Sequence, residues 1–219
     1  MLRANADAEV HATDVSPAAV ALTRDAARRG GFEDRITTAT VGAADPARGA
    51  ADGEAGGAAG SQARPFDAAL LVFTASAVPA GGDQELLRRV GDSLRPGGQI
   101  LFRDYGMFDL RHLGDLRSAA AAAAAGAGAD AGAVAGAAGA AGAAAEACVR
   151  LTDRTFRRAG GTFRRYYALE DVAQLADRAA LTLTESRYCC VRLENRKRGT
   201  AMDRVYLHAV FTKPAVVAL

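Results

Sequence analysis

The chain has 219 residues, a formal net charge of +2 and an apolar fraction of 50%, of which alanine supplies a large part. This length suits one core with low-complexity insertions and is too short for two ordinary domains, so we expect a single domain over residues 1–219. The three cysteines show no CxxC spacing and the three histidines are isolated. This pattern argues against a disulfide framework and predicts no metal site.

The first residues do not predict secretion. Met1 to Asp7 include Asn5 and Asp7, and no long apolar region follows a basic one, so no signal peptide is visible. Reduced thiols suit an intracellular compartment. We therefore predict a cytoplasmic protein and leave a nuclear or organellar location open.

Two tracts have low complexity. Residues 49–61 are mostly alanine, glycine and acidic residues, and residues 118–147 are almost wholly alanine and glycine. Alanine is barely apolar, Asp130 interrupts the longer tract, and its glycines disfavour a helix, so we predict no membrane span. Both tracts are predicted insertions, the second either disordered or a marginal helix.

Positive charge is concentrated in the last third of the chain. Residues 150–219 contain 14 Lys and Arg against 7 Asp and Glu, which leaves 13 against 18 in residues 1–149. A basic region of this kind is typical of proteins that bind a polyanion such as nucleic acid. A solvated basic face is the alternative that composition leaves open.

The first part of the chain alternates predicted strands and helices. Residues 8–13 form a predicted strand, followed by a helix with Ser16 as N-cap, Pro17 in its first turn and Gly30–Gly31 at its end. A second strand is predicted over residues 36–41. This alternation is typical of a parallel sheet in an α/β fold.

The central part contains the first candidates for a functional site. A strand is predicted over residues 66–73 and a helix over residues 83–94, and the Pro96–Gly98 turn then leads into an apolar strand. That strand ends in three residues of interest, Arg103, Asp104 and Tyr105. Ligands bind at the carboxyl ends of strands in open α/β sheets, which makes these three candidates. The alternative is that Asp104 caps the next segment and Arg103 merely pairs with it.

The last part predicts an antiparallel strand pair. A helix follows residues 166–171 and ends at Ala179, and a strand is predicted over residues 181–193. A basic loop over residues 194–200 then leads to a final strand over residues 204–211. Two long strands joined by a short loop are typical of a hairpin at the end of a sheet.

Four segments carry a resemblance to a known family: residues 13–20, 71–78, 94–106, which include the Phe-Arg-Asp-Tyr-Gly run, and 204–214. With the basic block that ends in Gly160–Gly161 before Tyr166–Tyr167, they resemble the methyltransferase-like proteins that make 3-methylcytidine in tRNA anticodon loops. Those proteins are class I enzymes that use S-adenosylmethionine. The match covers most of the chain outside the two insertions.

The resemblance implies a Rossmann-like class I methyltransferase sheet with an antiparallel C-terminal strand pair and two Ala/Gly-rich insertions. It also implies a sheet that is incomplete at the N-terminus. The family begins with a strand and a glycine-rich loop for the methionine end of the cofactor, and this sequence starts after them. Gly42–Ala43 stand where the family usually has an acid, and Asp45 is slightly displaced.

The activity implied by the resemblance is methyl transfer from S-adenosylmethionine to N3 of a cytidine in tRNA. Asp14 would hold the ribose of the cofactor, and Val72 and Phe73 would line its adenine. An aminoacyl-tRNA synthetase is an accessory partner that the family suggests. Two alternatives stay open, a small-molecule methyltransferase of the same fold and a truncated or degenerate domain that acts only as a binding module.

The substrate-facing roles are also implied by the resemblance. Asp104, beside Arg103, would hold the exocyclic amine of cytosine and offset its developing positive charge, and Tyr105 or Phe73 would offer a stacking surface. Basic side chains of the last third would contact RNA phosphates. These are Arg157, Arg158, Arg164, Arg165, Arg196, Lys197 and Arg198.

Overall fold

The structure is a computed structural model that describes residues 2–42, 64–124, 148–195 and 199–215. The predicted insertion at 49–61 and residues 125–147 of the second insertion lie outside these ranges. Within them, helices and strands alternate in the first half of the chain, and strands predominate in the second half.

The chain opens with a strand–helix–strand unit. Strand β1 (Val10–Asp14) leads into helix α1 (Pro17–Gly30), and strand β2 (Ile36–Thr40) pairs parallel to β1. The hydroxyl oxygen of Ser16 caps the start of α1, and Gly31 ends the helix with a φ of 68°. The unit predicted from the cap, the proline and the glycines is confirmed.

A second strand–helix–strand unit follows. Strand β3 (Phe66–Val72), helix α2 (Gly82–Ser93) and strand β4 (Leu94–Tyr105) place β3 parallel to β4. The predicted turn at Pro96–Gly98 lies inside β4 rather than before it. The pairing with β3 shifts register across this stretch, and Gly97 has a φ of 76°, so the turn is present as an irregularity of the strand.

Helix α3 (Leu110–Ala124) includes residues 118–124 of the Ala/Gly tract, which are therefore helical. A three-stranded antiparallel sheet that we did not predict follows the tract, made of β5 (Cys148–Arg150), β6 (Thr155–Arg158) and β7 (Phe163–Arg165). We call these three strands the meander. Among the described residues, no helix combines the length and the apolar character that a membrane crossing requires.

The last elements complete the main sheet. Helix α4 (Leu169–Arg178) is followed by the long hairpin of strand β8 (Thr182–Asn195) and strand β9 (Thr200–Thr212). The sheet order is β3-β4-β9-β8, with β9 antiparallel to both β4 and β8. The predicted antiparallel pair is confirmed, and its strands extend into the predicted basic loop.

The core lies on one face of the four-stranded sheet. Alternate residues of β3, β4 and β9 point to that face, and the apolar sides of α2 and α4 cover it. Burial of each large apolar side chain contributes about 2 kcal/mol to stability. The side chains with the least exposure there include Leu86, Leu87, Ile100, Val172, Leu207 and Phe211.

The opposite face of the sheet is only partly covered by the described residues. Leu70, Val72 and Leu101 are 55%, 48% and 42% exposed there. With Arg103 they line a shallow groove, which we call the open face. Helix α3 and the meander pack against the end of this face at Tyr105, so the open face begins beside the carboxyl ends of β3 and β4.

A buried carboxylate fastens the loop after β4 to β9. Asp109 has no exposed surface and accepts hydrogen bonds of 2.8 Å from Arg204 Nε and from the Val205 amide. Gly106 donates its amide to the Val205 carbonyl at 2.9 Å. A Cβ on Gly106 would lie 3.0 Å from the Val205 side chain, so glycine permits this close approach.

The ion pair between Asp109 and Arg204 predicts a large loss of stability when Asp109 is replaced. We expect Asp109→Ala to lower the free energy of unfolding by about 3 kcal/mol, because it leaves a buried guanidinium without its carboxylate. Asp203→Ala is the matched control, since Asp203 is 83% exposed and lies 3.9 Å from Arg192. The control should change stability by less than about 0.5 kcal/mol. Urea denaturation followed by circular dichroism measures both, and equal losses would contradict the assignment.

Candidate functional site

Three aromatic rings meet where β3 and β4 end. The Phe73 ring centroid lies 5.0 Å from that of Tyr105 and 5.3 Å from that of Tyr206. Phe73 directly follows β3, Tyr105 ends β4, and Tyr206 is the partner of Tyr105 on β9. Phe73 and Tyr105 keep part of their surface exposed, whereas Tyr206 is buried. We call these three residues the aromatic cluster.

Three guanidinium groups lie over the rings of the cluster, those of Arg103, Arg204 and Arg164, the last at 5.9 Å from the centroid of Tyr105. Arg103 is 4.6 Å from the centroid of Tyr206, and Arg204 is 5.2 Å from the same ring and 5.8 Å from Tyr105. Such cation–π contacts are worth about 0.5–2 kcal/mol. Aromatic faces flanked by arginine are typical of sites that stack nucleobases.

The backbone at Phe73 is strained, and its ring contacts offset the strain. Its φ of 54° lies in the left-handed region, which costs a residue other than glycine about 1–2 kcal/mol. Its amide donates to the Arg103 carbonyl at 2.9 Å, which continues the pairing of β3 with β4. Each aromatic contact contributes about 0.5–1.5 kcal/mol. The strain therefore directs the ring into the cluster.

Asp104 lies inside the protein and not at the substrate-facing rim where we expected it. It has no exposed surface, and its two oxygens accept hydrogen bonds of 2.9 Å from the amides of Ser76 and Tyr105. Burial raises the pKa of Asp104 to about 6, against the opposing effect of these hydrogen bonds. A substrate amine has no access to this carboxyl group in the structure. The group instead holds the short helix Ala75–Ala77 against the end of β4.

Of the three residues expected to hold the adenosine group, Asp14 and Val72 are exposed and Phe73 is half-buried. Asp14 ends β1, and its Oδ1 accepts the Ser16 amide at 2.8 Å. Its Oδ2 has no hydrogen-bond partner among the described residues. Val72 ends β3 and is 48% exposed. A free carboxylate oxygen and an apolar surface fit a ribose hydroxyl and a purine respectively.

Two of the arginines predicted to contact phosphate are engaged inside the protein. Arg164 is 6% exposed, and its Nη1 lies 2.9 Å from both oxygens of Asp115. Arg165 is half-buried, donates to Asp83 at 2.6 Å and lies 5.0 Å from the Tyr167 ring centroid. The expectation for Arg164 is therefore corrected, because a buried guanidinium in an ion pair does not reach a phosphate.

The remaining predicted phosphate contacts are divided between the meander and the β8–β9 loop. Arg157 and Arg158 lie on β6 and are half-buried. The side chain of Arg157 makes no hydrogen bond or ion pair with the described part of the chain. Arg196, Lys197 and Arg198 lie outside the described residues.

Sequence reasoning missed the cluster that supports Tyr105 from behind. The Tyr166 hydroxyl donates to Asp115 at 2.7 Å, and the His112 ring stacks on Tyr166 with a centroid distance of 4.4 Å. Burial lowers the pKa of His112. No local sequence signal points to this cluster, because Tyr166 and Asp115 lie 51 residues apart in the chain.

A second unpredicted feature lies on the open face. Arg103 and His208 are neighbours across β4 and β9, and Arg187 is the partner of His208 on β8. Arg103 Nε and His208 Nε2 are buried atoms without a hydrogen-bond partner among the described residues. Burial lowers the pKa of His208, and the charges of Arg103 and Arg187 lower it further. The open face therefore carries an imidazole between two cations, and its pKa is lowered by that position.

Solved structures with this arrangement define the class of fold. A SAM-dependent methyltransferase from Methanosarcina mazei has a TM-score of 0.57 at 14% identity, over 94% of this chain and 82% of that chain. An O-methyltransferase family protein from Burkholderia thailandensis has a TM-score of 0.55 at 12% identity, over 99% of this chain and 47% of that chain. The chain has the Rossmann-like fold of class I methyltransferases, which confirms the predicted fold class.

Curated relatives are similar over 68% of the chain. The human tRNA N(3)-cytidine methyltransferase METTL6 is 26% identical over 149 residues, 42% of its length. The tRNA N(3)-methylcytidine methyltransferase Mettl2 of Drosophila melanogaster is 28% identical over 149 residues, 36% of its length. O-methyltransferase 3 of Dictyostelium discoideum is 23% identical over 149 residues, 28% of its length. The chain thus spans less than half the length of these three relatives. No protein-family model matches it.

The buried carboxyl group of Asp104 predicts a specific dependence of stability on pH. Its pKa of about 6 in the folded protein exceeds the ordinary value of 3.8, so folding favours the protonated group. The contribution of Asp104 to the free energy of unfolding is complete below about pH 4. It is lost as pH rises through about 6, and the total loss is about 3 kcal/mol. Urea denaturation over this range should show that decline, and Asp104→Asn should flatten it.

Asp92→Asn is the matched control for this measurement, because Asp92 is 65% exposed. Its pH profile should retain the decline of the unmodified protein. Parallel profiles for the unmodified protein and Asp104→Asn would contradict the role of burial at Asp104.

Proposed function

We propose that this chain takes part in methyl transfer from S-adenosylmethionine to N3 of a cytidine in a tRNA anticodon loop. The observation that carries the proposal is the aromatic cluster with the arginines that lie over its rings, at the carboxyl edge of a class I methyltransferase sheet. The names of the relatives that methylate N3 of cytidine in tRNA support the choice of substrate.

The cofactor would supply an electrophilic methyl group carried on a sulfonium sulfur. Asp14 would accept hydrogen bonds from the ribose hydroxyls through its free Oδ2. Val72 would lie against the adenine, with Phe73 beside it. The exposure of Asp14 and Val72 supports these assignments.

Cytosine N3 carries a lone pair, so it attacks the methyl group without first losing a proton. The protein then has to orient the base and exclude water, and no general base is required. Tyr105 and Phe73 would stack on the base. Their faces would also stabilise the positive charge that develops on it, by the same attraction that places arginine over these rings.

Asp104 would act as a positioning residue in this scheme. Its carboxyl group binds the amides of Ser76 and Tyr105, so it fixes the relative position of the segments that carry Phe73 and Tyr105. Arg103 would hold Tyr206 in place from the open face, where its guanidinium lies over that ring.

RNA phosphates would be contacted by basic side chains of the last third of the chain. On β6 these are Arg157 and Arg158, which keep part of their surface exposed, and in the β8–β9 loop they are Arg196, Lys197 and Arg198. Arg165 would contribute from its exposed part, whereas Arg164 supports the fold. An aminoacyl-tRNA synthetase remains part of the proposal as an accessory partner.

A small-molecule methyltransferase is the second candidate. The similarity to O-methyltransferase 3 favours it, as does the engagement of Arg164 and Arg165 in internal ion pairs. The two candidates differ in salt dependence. Binding of an RNA weakens steeply with salt because counterions are released, whereas binding of a small neutral substrate does not.

The cofactor assignment predicts one affinity change. We expect the chain to bind S-adenosylmethionine in isothermal titration calorimetry, and Asp14→Ala to weaken binding at least about tenfold through loss of charged hydrogen bonds. Asp25→Ala, on the exposed surface of α1, is the control and should bind like the unmodified chain. Equal affinities for Asp14→Ala and the unmodified chain would remove Asp14 from the site. Absence of binding by the unmodified chain would contradict the cofactor proposal and favour a degenerate domain.

The RNA assignment predicts a change in salt dependence. In filter-binding titrations with a tRNA transcript, the combined Arg196→Ala, Lys197→Ala and Arg198→Ala variant should bind more weakly. Its slope of log Kd against log salt should fall by about one for each phosphate that the variant no longer neutralises. The same outcome is expected for Arg157→Ala together with Arg158→Ala. Arg28→Ala with Arg29→Ala, in the last turn of α1, is the control. Unchanged slopes in both basic variants would contradict the tRNA proposal.

A further inference from the structure

Phe108 has the highest exposure among the large apolar side chains that the structure describes. It is 69% exposed, and its ring makes no ring contact with the described part of the chain. Its φ of 64° lies in the left-handed region, which a bulky residue rarely adopts. An apolar ring in water on a strained backbone has no stabilising role within the fold.

The strained conformation is fixed by the segments on both sides of Phe108. On one side, Met107 donates its amide to the Tyr167 carbonyl at 3.0 Å. On the other, Asp109 is held by Arg204 and by the Val205 amide. The Phe108 amide itself donates to His112 Nδ1 at 3.3 Å. The loop therefore projects the ring outward from a rigid base.

Phe73 and Phe108 share the same unusual backbone conformation. Each is a phenylalanine with a positive φ, and each lies just after one of the paired parallel strands β3 and β4. The strain at Phe73 is offset by two aromatic contacts. At Phe108 no such contact exists within the described residues, although glycine would avoid the strain. Backbone strain that persists at a site edge is a sign of function.

From this geometry we infer that Phe108 stacks on a nucleobase of the bound RNA. The inference rests on the proposed RNA substrate and adds a second stacking position beside the aromatic cluster. A base next to the methylated cytidine would lie on the Phe108 ring, while the exposed Arg111 contacts the backbone. The separate position of Phe108, three residues beyond Tyr105, suits a neighbouring nucleotide better than the reacting base.

The charge around Phe108 favours RNA over an apolar protein partner. Arg111 lies three residues away at the start of α3, and Arg117 lies further along the same helix, both exposed. Asp109, the acid closest in sequence, is buried and already paired. Leu110 and Leu113 are 46% and 38% exposed, so a protein contact at this surface is the competing outcome.

A single tryptophan tests the stacking directly. The chain contains no tryptophan, so Phe108→Trp introduces the one indole fluorophore. The probe is a synthetic RNA hairpin that presents cytidine in its loop. We expect the hairpin to quench the indole fluorescence, because stacking on a base brings the two rings into contact. Leu22→Trp is the control, since Leu22 is 67% exposed on α1, and its fluorescence should not change.

Affinity for the same hairpin separates stacking from apolar packing. Phe108→Ala should weaken binding about 5- to 100-fold, the range expected for one base–aromatic stack. Phe108→Tyr should retain the affinity, whereas Phe108→Leu should lose it. Phe108→Gly removes the strain along with the ring, so it should weaken binding while its Tm stays equal or rises. A purely structural role would lower the Tm.

The outcomes distinguish this inference from the proposed function. If the unmodified chain binds the hairpin, and Phe108→Ala binds equally well without quenching in Phe108→Trp, the inference is overturned and the RNA proposal stands. If Phe108→Leu binds as well as Phe108→Tyr, the contact is apolar packing and the stacking role is overturned. If the unmodified chain does not bind the hairpin at all, the RNA proposal fails, and this inference fails with it.

Discussion

The carboxyl group of Asp104 is the constraint on which the candidate site depends. It joins two segments that the backbone pairing alone does not connect, the short helix Ala75–Ala77 and the end of β4. Phe73 lies two residues before that helix, and Tyr105 follows Asp104 directly. The distance between their rings is therefore set by this buried group together with the backbone pairing of Phe73 and Arg103. A buried acid is costly unless it is hydrogen-bonded or protonated, and Asp104 is both hydrogen-bonded and raised in pKa.

Much of the fold was predictable because its signals are local. The start of α1 follows from Ser16 and Pro17, and its end follows from glycine in a left-handed conformation at Gly31. The strands of the main sheet follow from apolar runs that are bounded by turns. The meander was missed because its strands have three or four residues, too few to show alternation. The start of β4 was misplaced because the Pro96–Gly98 signal reads as a turn even within a strand.

The site was less predictable because its key contacts join residues that are distant in sequence. Tyr105 and Phe73, named from the sequence, lie at the carboxyl ends of β4 and β3, and the structure adds Tyr206 and Arg204 from β9. No spacing rule relates Asp109 to Arg204 or Asp115 to Arg164. Whether a charged side chain is buried depends on tertiary pairing, so Asp104 was expected at the surface and lies in the interior.

Ion pairs between arginine and aspartate reduce the number of cations that the basic C-terminal part can offer to a ligand. Composition suggested a basic surface, but several of its arginines face aspartates at 2.6–2.9 Å. These pairs are Arg154–Asp171, Arg164–Asp115, Arg165–Asp83 and Arg204–Asp109. Three of these aspartates, Asp83, Asp109 and Asp115, precede residue 150, so part of the basic excess balances the acidic excess of the first part. An RNA that binds here would therefore meet fewer available cations than the composition suggests, and ring stacking would supply a large share of its affinity. Under the proposed RNA function, the aromatic cluster rather than the net charge would therefore determine which substrate binds.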